Sequence, residues 1–262
     1  MTRISAVSYL NTCPLVWGLT HGPQTGIFEL RFELPAVCAH SLALGSVDIG
    51  LVPVIEAFRQ DLEITSSVCI SSDGPVRSIF LVYRKPLREI RTVALDSSSR
   101  TSVALLRILL AERYGVRAVE HQAAPDVREM LQSADAALLI GDPALKLSIQ
   151  DSHFEVLDLG AEWKEFTGLP MVYAVWAGKP GNVPTHAGLT LRDSYEWGKS
   201  HIDEIIGQEA AKRGVPSGLA REYLTMHIRY ELDEEARKGM HEFERLAGGH
   251  GLISNESRGI RI

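Results

Sequence analysis

Leu95–Ser102 reads LDSSSRTS, and the fold follows from how this stretch is read. Ahead of it, Arg91–Leu95 (RTVAL) is a short apolar run. Behind it, Thr101–Gly115 repeats apolar residues at helical spacing among good helix formers. The segment is therefore a strand handing over to a helix. Such a turn aims free backbone N–H groups and hydroxyls at one point, with the positive end of the helix dipole behind them. Arg100 adds a planar fork suited to a carboxylate or phosphate. The turn is expected to hold a small anion; a serine-rich helix cap beside a surface arginine is the alternative.

The same βα rhythm extends in both directions. Upstream, strands are expected at Ile4–Val7, Phe28–Leu34, Val47–Val52, Ile64–Ile70 and Ser78–Tyr83, with helices at Pro35–Leu44 and Pro53–Arg59. Downstream, strands at Thr92–Leu95, Ala118–His121, Ala136–Ile140 and Phe154–Asp158 alternate with helices at Thr101–Tyr114, Pro125–Gln132 and Asp142–Ser148 and a helical turn at Glu162–Phe166. Met171–Ala177 is a long apolar exit strand, and the chain after Leu189 is expected to be helical in three amphipathic runs, Leu191–Arg213, Leu219–Ile228 and Glu234–Leu246. Alternating βα units imply an α/β fold of mostly parallel sheets flanked by helices. Punctuation near Pro86 and Ala174 divides them into two lobes, residues 1–86 with 175–262 and residues 87–174, crossing near Arg84–Leu87 and Val172–Trp176. Ligands bind at the carboxyl ends of strands in such sheets, so the cleft between lobes is the expected site.

Composition narrows the function. A net charge of −6 argues against nucleic acid or an anionic membrane as partner, so an anion must be held by a local site. The three cysteines, Cys13, Cys38 and Cys69, lack metal spacing and read as reduced thiols. The start MTRISAVSYLN carries no apolar signal core and no 18-residue apolar run occurs, so a cytoplasmic protein is expected. There is no GxGxxG after a strand, no P-loop, no GxSxG elbow and no His/Cys/Asp cluster, so neither metal nor nucleotide cofactor is expected.

Several turns would face the cleft. Tyr9 and Asn11 follow the first strand and either hydrogen-bond a ligand or form the turn into the next helix. The Asp73–Ser78 loop brings Ser78, and the serine-rich turn brings Ser99, Arg100, Thr101 and Ser102. Gly141 and Asp142 follow another strand, Asp142 reading first as a cap of its own helix. Gly168 and Leu169, ahead of the exit strand, are candidate contacts in a run that also reads as a turn. Trp163, Tyr173 and Trp176 read as packing residues, and the nine histidines, including His40 and His121, fall outside these turns. Glu56 is a candidate general base, and Cys13 a less favoured nucleophile without a partner histidine.

Five of these segments carry a resemblance: SYLNTCPL (8–15), SVDIGLVPVIE (46–56), LDSSSRTSVALL (95–106), LLIGDPAL (138–145) and TGLPMVYAVW (167–176). In this order, over nearly the whole chain, they resemble the chorismate dehydratases of the futalosine route to menaquinone. The resemblance implies a two-lobe type II periplasmic-binding-protein-like fold. It also implies cofactor-free elimination of water from chorismate, a small dicarboxylate, to give 3-[(1-carboxyvinyl)oxy]benzoate. It maps polar cleft residues to Asn11, Ser78, Ser99, Arg100, Thr101 and Ser102, with Gly141 and Asp142 nearby. Val54 departs from it, standing where a small hydroxyl residue is expected. Of these residues Asn11 is the candidate catalytic one and the others bind substrate; no oligomeric state is implied. With no histidine in the cleft turns, the expected base is the substrate's own enolpyruvyl carboxylate. The alternatives are a 1,4-dihydroxy-6-naphthoate synthase-like lyase of the same fold and a non-catalytic anion-binding protein. The latter, as a transport component, would need an export signal or lipid anchor that the N-terminal residues do not show; a ligand sensor of a transcription regulator would need a helix-turn-helix.

Overall fold

The computed structural model describes residues 1–147 and 154–254. The chain opens with β1 (Arg3–Val7), α1 (Cys13–His21), β2 (Glu29–Glu33), α2 (Pro35–Ala43), β3 (Ile49–Pro53) and α3 (Val54–Arg59). Prolines 14 and 35 sit in the first turns of α1 and α2, where the missing N–H costs no helix bond. Two strands follow, β4 (Glu63–Ser72) and β5 (Ile79–Tyr83). The second series is β6 (Thr92–Asp96), α4 (Thr101–Tyr114), β7 (Val119–Ala123), α5 (Val127–Ser133), β8 (Ala136–Ile140), α6 (Gly141–Leu145), β9 (Glu155–Asp158) and α7 (Leu159–Thr167). Asp126 and Asp158 cap α5 and α7 through two backbone N–H groups each, and Gly115 ends α4 at a left-handed φ of 68°. The described chain closes with β10 (Met171–Gly178), α8 (Ala187–Ser200), α9 (Ile202–Ile205), α10 (Ser217–Glu222), β11 (Arg229–Glu231) and α11 (Glu234–Gly249).

The strands form a six-stranded sheet, β11-β4-β10-β3-β1-β2, and a five-stranded sheet, β7-β6-β8-β5-β9. The expectation of mostly parallel sheets is corrected: both are mixed. β1 is parallel to β2 and β3, and β6 to β7 and β8. β10 is antiparallel to β3 and β4, and β5 to β8 and β9. The crossings explain this. β1, β3, β6 and β8 end at the cleft, so a strand that enters a lobe from the cleft must run the opposite way, as β5 and β10 do.

Sheet membership also moves both crossings. β5 belongs to the second sheet, so the chain leaves lobe one through 73–78 rather than Arg84–Leu87. β10 lies wholly in the first sheet, so residues 171–174 fall in lobe one. The C-terminal region is not all helix. β11 is only three residues long, too short to show alternation in the sequence, and it pairs with β4. The expected helix Leu191–Arg213 breaks at His201, where φ is −114° and ψ 26°, before α9 and a π-helical turn over Ile206–Ala210. α6 stops at Leu145; Ser148, the expected end of that helix, and 255–262 of the expected lobe one lie outside the described residues.

Trp163 and Trp176 are fully buried, as packing residues should be. Trp163 meets Phe243 of α11 edge-on at 6.0 Å and donates to the Pro170 carbonyl at 3.1 Å. The last helix thus braces α7 of the second lobe. Among the described residues, no helix is long and apolar enough to cross a membrane.

Candidate active site

The ends of β1, β3, β6 and β8 and the crossing strand β10 enclose a cleft with about 550 Å³ of empty space including its mouth. Tyr9, Asn11, Ser78, Ser99, Arg100, Thr101, Ser102 and Gly141 all line it, together with an apolar floor that includes Val7, Ile70, Val76 and Ile140. Eight of the eleven sequence-derived site residues therefore converge. Asp142, Gly168 and Leu169 do not.

The start of α4 is open toward this cleft. Arg100 occupies the N-cap position, and no side chain caps the helix. The N-terminal amides are left for a ligand, with the helix dipole behind them. The Arg100 side chain is exposed and makes no ion pair or hydrogen bond with any described residue. Ser99 is buried and its Oγ has no hydrogen-bond partner among the described residues; the same holds for Oδ1 of Asn11. Buried polar atoms without partners are costly, and these two belong to residues that line the cleft.

Other lining groups are held from behind. Thr101 donates its Oγ1 hydrogen to the Tyr173 carbonyl at 3.0 Å and accepts from the Ile55 N–H at 3.4 Å. Its hydroxyl ties α4 to lobe one, while Thr101 itself lines the cleft. Ser78 Oγ accepts from the hydroxyl of buried Tyr223 at 2.8 Å. Tyr9 shares a 3.0 Å hydrogen bond with Ser98 Oγ. Its ring lies on Gly141, where a Cβ would stand 2.5 Å from Tyr9 Cε2 and where φ is +64°; both facts require glycine. Tyr173 lines the wall with its hydroxyl 2.9 Å from Ser72 Oγ.

Asp142 does not cap α6. Its Oδ1 accepts from the Leu10 N–H of lobe one at 2.9 Å, and its Oδ2 lies 3.3 Å from Arg213 Nε. Burial pushes its carboxyl up; Leu10 and Arg213 pull it down. The physical reason for the difference is the left-handed Gly141, which turns the chain so that Asp142 faces the other lobe. Gly168 and Leu169 form the end of α7: Gly168 has φ +74°, its carbonyl accepts from Lys164 Nζ, and the Leu169 N–H is bonded to Thr167 Oγ1. Val54 is fully buried at the start of α3 and lies outside the cleft lining.

Among the described residues, Arg100 is the one charged side chain lining the cleft, and no carboxylate or imidazole lines it. Glu56 pairs with Arg59 at 2.7 Å, away from it. His121 is bonded to Ser133. Burial pushes Cys13 up to about 12, which keeps it a thiol at neutral pH. Burial also pushes Tyr9 up to about 12 and Tyr173 well above its ordinary value, so both phenols stay protonated. No group of three or more His, Cys, Asp or Glu among the described residues is arranged for a metal. The cleft offers a positive charge and hydrogen-bonding groups to an anion; its described side chains offer no strong base. Tyr223 and Arg213 were not legible as contributors, because each lies in a run of helical spacing and its partner is distant in sequence; Asp96 and Ser98 lie within LDSSSRTS itself, and only the reach of Ser98 to Tyr9, 89 residues away, was hidden.

A profile of the menaquinone biosynthesis family matches residues 2–248. The chorismate dehydratase of Thermus thermophilus is 31% identical over 258 residues, covering 92% of this chain and 93% of that one. Among solved structures, protein AF1704 of Archaeoglobus fulgidus superposes with a TM-score of 0.79 at 17% identity, covering 96% of this chain and 98% of that one. The periplasmic aliphatic sulphonate binding protein SsuA of Escherichia coli gives 0.66 at 17% identity, with coverage of 98% and 89%. The fold is thus the two-lobe periplasmic-binding-protein-like one, and the chain belongs to the menaquinone biosynthesis family that includes the chorismate dehydratases.

Proposed function

We propose that this protein is a cytoplasmic chorismate dehydratase, a cofactor-independent lyase that removes water from chorismate to give 3-[(1-carboxyvinyl)oxy]benzoate. One observation supports the mechanism: the cleft pairs an uncapped helix start and an unpartnered Arg100 with no carboxylate or imidazole among its described lining residues. Arg100 and the amides at the start of α4 hold a substrate carboxylate. Asn11 and the serines orient the ring.

The proton leaves C3, which is allylic and conjugated to the ring carboxylate, so the carbanion is delocalised. The hydroxyl leaves C4 and the ring becomes aromatic. The enolpyruvyl carboxylate is attached through the ether oxygen at C3 itself. Folded over that carbon it removes the proton intramolecularly, where effective molarities reach on the order of 10⁵ M. The proton from C3 and hydroxide from C4 leave together as water, so the step balances without any further reactant. The protein positions the diacid, stabilises charge growing on the ring carboxylate and keeps bulk water out.

Incubation with chorismate, followed by ultraviolet spectroscopy and mass analysis, tests the reading. The cyclohexadiene absorbance should give way to that of a benzoate, with loss of one water. Chorismate left unchanged by folded protein would refute it.

A further inference from the structure

Behind the cleft wall, Asp96 and Ser98 form a short chain that ends at Tyr9. Asp96 closes β6 and is 1% exposed; Ser98 is 7% exposed. Asp96 Oδ1 accepts from the Ser98 backbone N–H at 2.9 Å and from Ser98 Oγ at 2.7 Å. Ser98 Oγ lies 3.0 Å from the Tyr9 hydroxyl. A serine hydroxyl has one proton. Ser98 gives that proton to the carboxylate, the stronger acceptor. The Tyr9–Ser98 bond can then form only with Tyr9 as donor. The phenol proton is then committed to Ser98, and the Tyr9 hydroxyl, on a residue that lines the cleft, can meet a ligand only as an acceptor. The ring cannot swing away without leaving Gly141, on which it is packed.

We propose that Asp96 and Ser98 are positioning residues that make Tyr9 a hydrogen-bond acceptor and so set the cleft to prefer a ligand bearing a hydroxyl, the substrate, over the product that has lost it. This rests on the dehydratase reading. Chorismate carries a C4 hydroxyl that can donate to Tyr9; 3-[(1-carboxyvinyl)oxy]benzoate has no hydroxyl there and leaves the phenol oxygen without that ligand donor. Both molecules bring the same two carboxylates, so the contact with Arg100 does not tell them apart. The preference speeds product departure without weakening substrate capture.

The test compares KM and kcat for chorismate with the competitive Ki of added 3-[(1-carboxyvinyl)oxy]benzoate. The proteins are the parent, Tyr9→Phe, Ser98→Ala and the double variant, each checked for folding by its thermal midpoint. The ratio of product Ki to chorismate KM should fall about fivefold to tenfold in Tyr9→Phe and in Ser98→Ala, the size expected for one buried hydrogen bond. The double variant should fall no further than Tyr9→Phe. A structural role for Ser98 would alter stability and leave the ratio alone. An unchanged ratio in Tyr9→Phe, or a Ser98→Ala effect that persists in the Tyr9→Phe background, overturns the proposal while parent turnover stands. A parent that does not convert chorismate overturns the dehydratase reading and this inference with it. Tyr9→Phe keeps the ring on Gly141 and carries the test alone if Ser98→Ala does not fold.

Discussion

The starts of α4 and α6 follow neighbouring strands of one sheet, β6 and β8, and reach the same cleft. They are used in opposite ways. At α4 the helix is uncapped, Arg100 has no partner among the described residues and Ser99 Oγ is unpaired. At α6, which likewise has no side-chain cap, the neighbouring groups are taken: the Gly141 N–H by the Ser78 carbonyl at 2.8 Å, the Gly141 face by the Tyr9 ring, and the Asp142 carboxylate by Leu10 and Arg213. One strand end leaves its polar groups unpaired at the cleft; the other is covered by the opposite lobe. A turn at the end of a strand therefore does not by itself make a binding site. What distinguishes the two is whether the protein has already satisfied the groups that the turn exposes.

The comparison can be broken most severely from the substrate side. If α4 only holds a carboxylate and the substrate supplies the base, chorismate with its enolpyruvyl carboxylate converted to an amide should still bind but turn over at least about a thousandfold more slowly, given the size of intramolecular advantages. Rapid conversion of that amide would mean that a protein group takes the proton. Next in size is the open helix start. Arg100→Ala removes a charge-assisted fork and should raise KM or lower kcat/KM by about tenfold to a hundredfold with an unchanged thermal midpoint. Unaltered kinetics would reduce Arg100 to a surface residue. Asn11→Ala should cut kcat by about tenfold while KM moves less than about threefold, because a neutral amide with an unpaired Oδ1 at the cleft wall orients the reacting edge rather than holds charge. Near-normal turnover would make Asn11 only a turn former.

The open turn was readable in the sequence and the closed one was not. LDSSSRTS is a local signal: strand, hydroxyls, arginine and helix lie within eight residues, and every group it needs is its own. Asp142 is bonded to Leu10, 132 residues away, so a capping aspartate and a bridge between lobes have the same local sequence. Tyr223 reaches Ser78 across 145 residues from a run with helical spacing. The reversal of β5 and β10 was hidden for a related reason. An apolar run marks a strand, but its direction depends on which end of the lobe the chain enters. Gly168 and Leu169 looked like cleft residues because they precede β10, whereas the left-handed Gly168 simply ends α7.

The closed turn predicts a smaller, different effect. Asp142→Asn retains an acceptor for Leu10 but loses the charge opposite Arg213. KM should rise by about threefold to tenfold as the lobes meet less firmly, with kcat nearly unchanged. The pH dependence of stability gives an independent readout. Burial raises the folded-state pKa of Asp142 above its unfolded value, so the folded state holds this proton more tightly. That contribution favours folding below the unfolded pKa, about 4, and is lost as pH rises through the raised folded value. The difference in thermal midpoint between Asp142→Asn and parent should therefore shift in favour of the variant as pH goes from about 4 to about 7. A difference independent of pH would contradict the burial argument.

The smallest effect belongs to a carboxylate that lies near the cleft in sequence but not in space. Glu56 follows β3 by three residues, and a carboxylate at the end of a strand is the usual place to seek a base. Its Oε1 instead pairs with Arg59 at 2.7 Å, and Gln60 Nε2 stands 3.3 Å from Oε2, both one helical turn along α3. It is absent from the cleft lining. Glu56→Gln keeps the shape and one acceptor and loses only a partly exposed ion pair, worth less than about 1 kcal/mol. Turnover should stay within about twofold of parent, and kcat should remain flat from about pH 6 to 9, where neither Tyr9 nor the substrate carboxylates titrate. A fall of several orders of magnitude in Glu56→Gln, or an acidic limb in kcat near pH 6 that the substitution abolishes, would make Glu56 the base. The contrast between open and closed turns would then miss the group that does the chemistry.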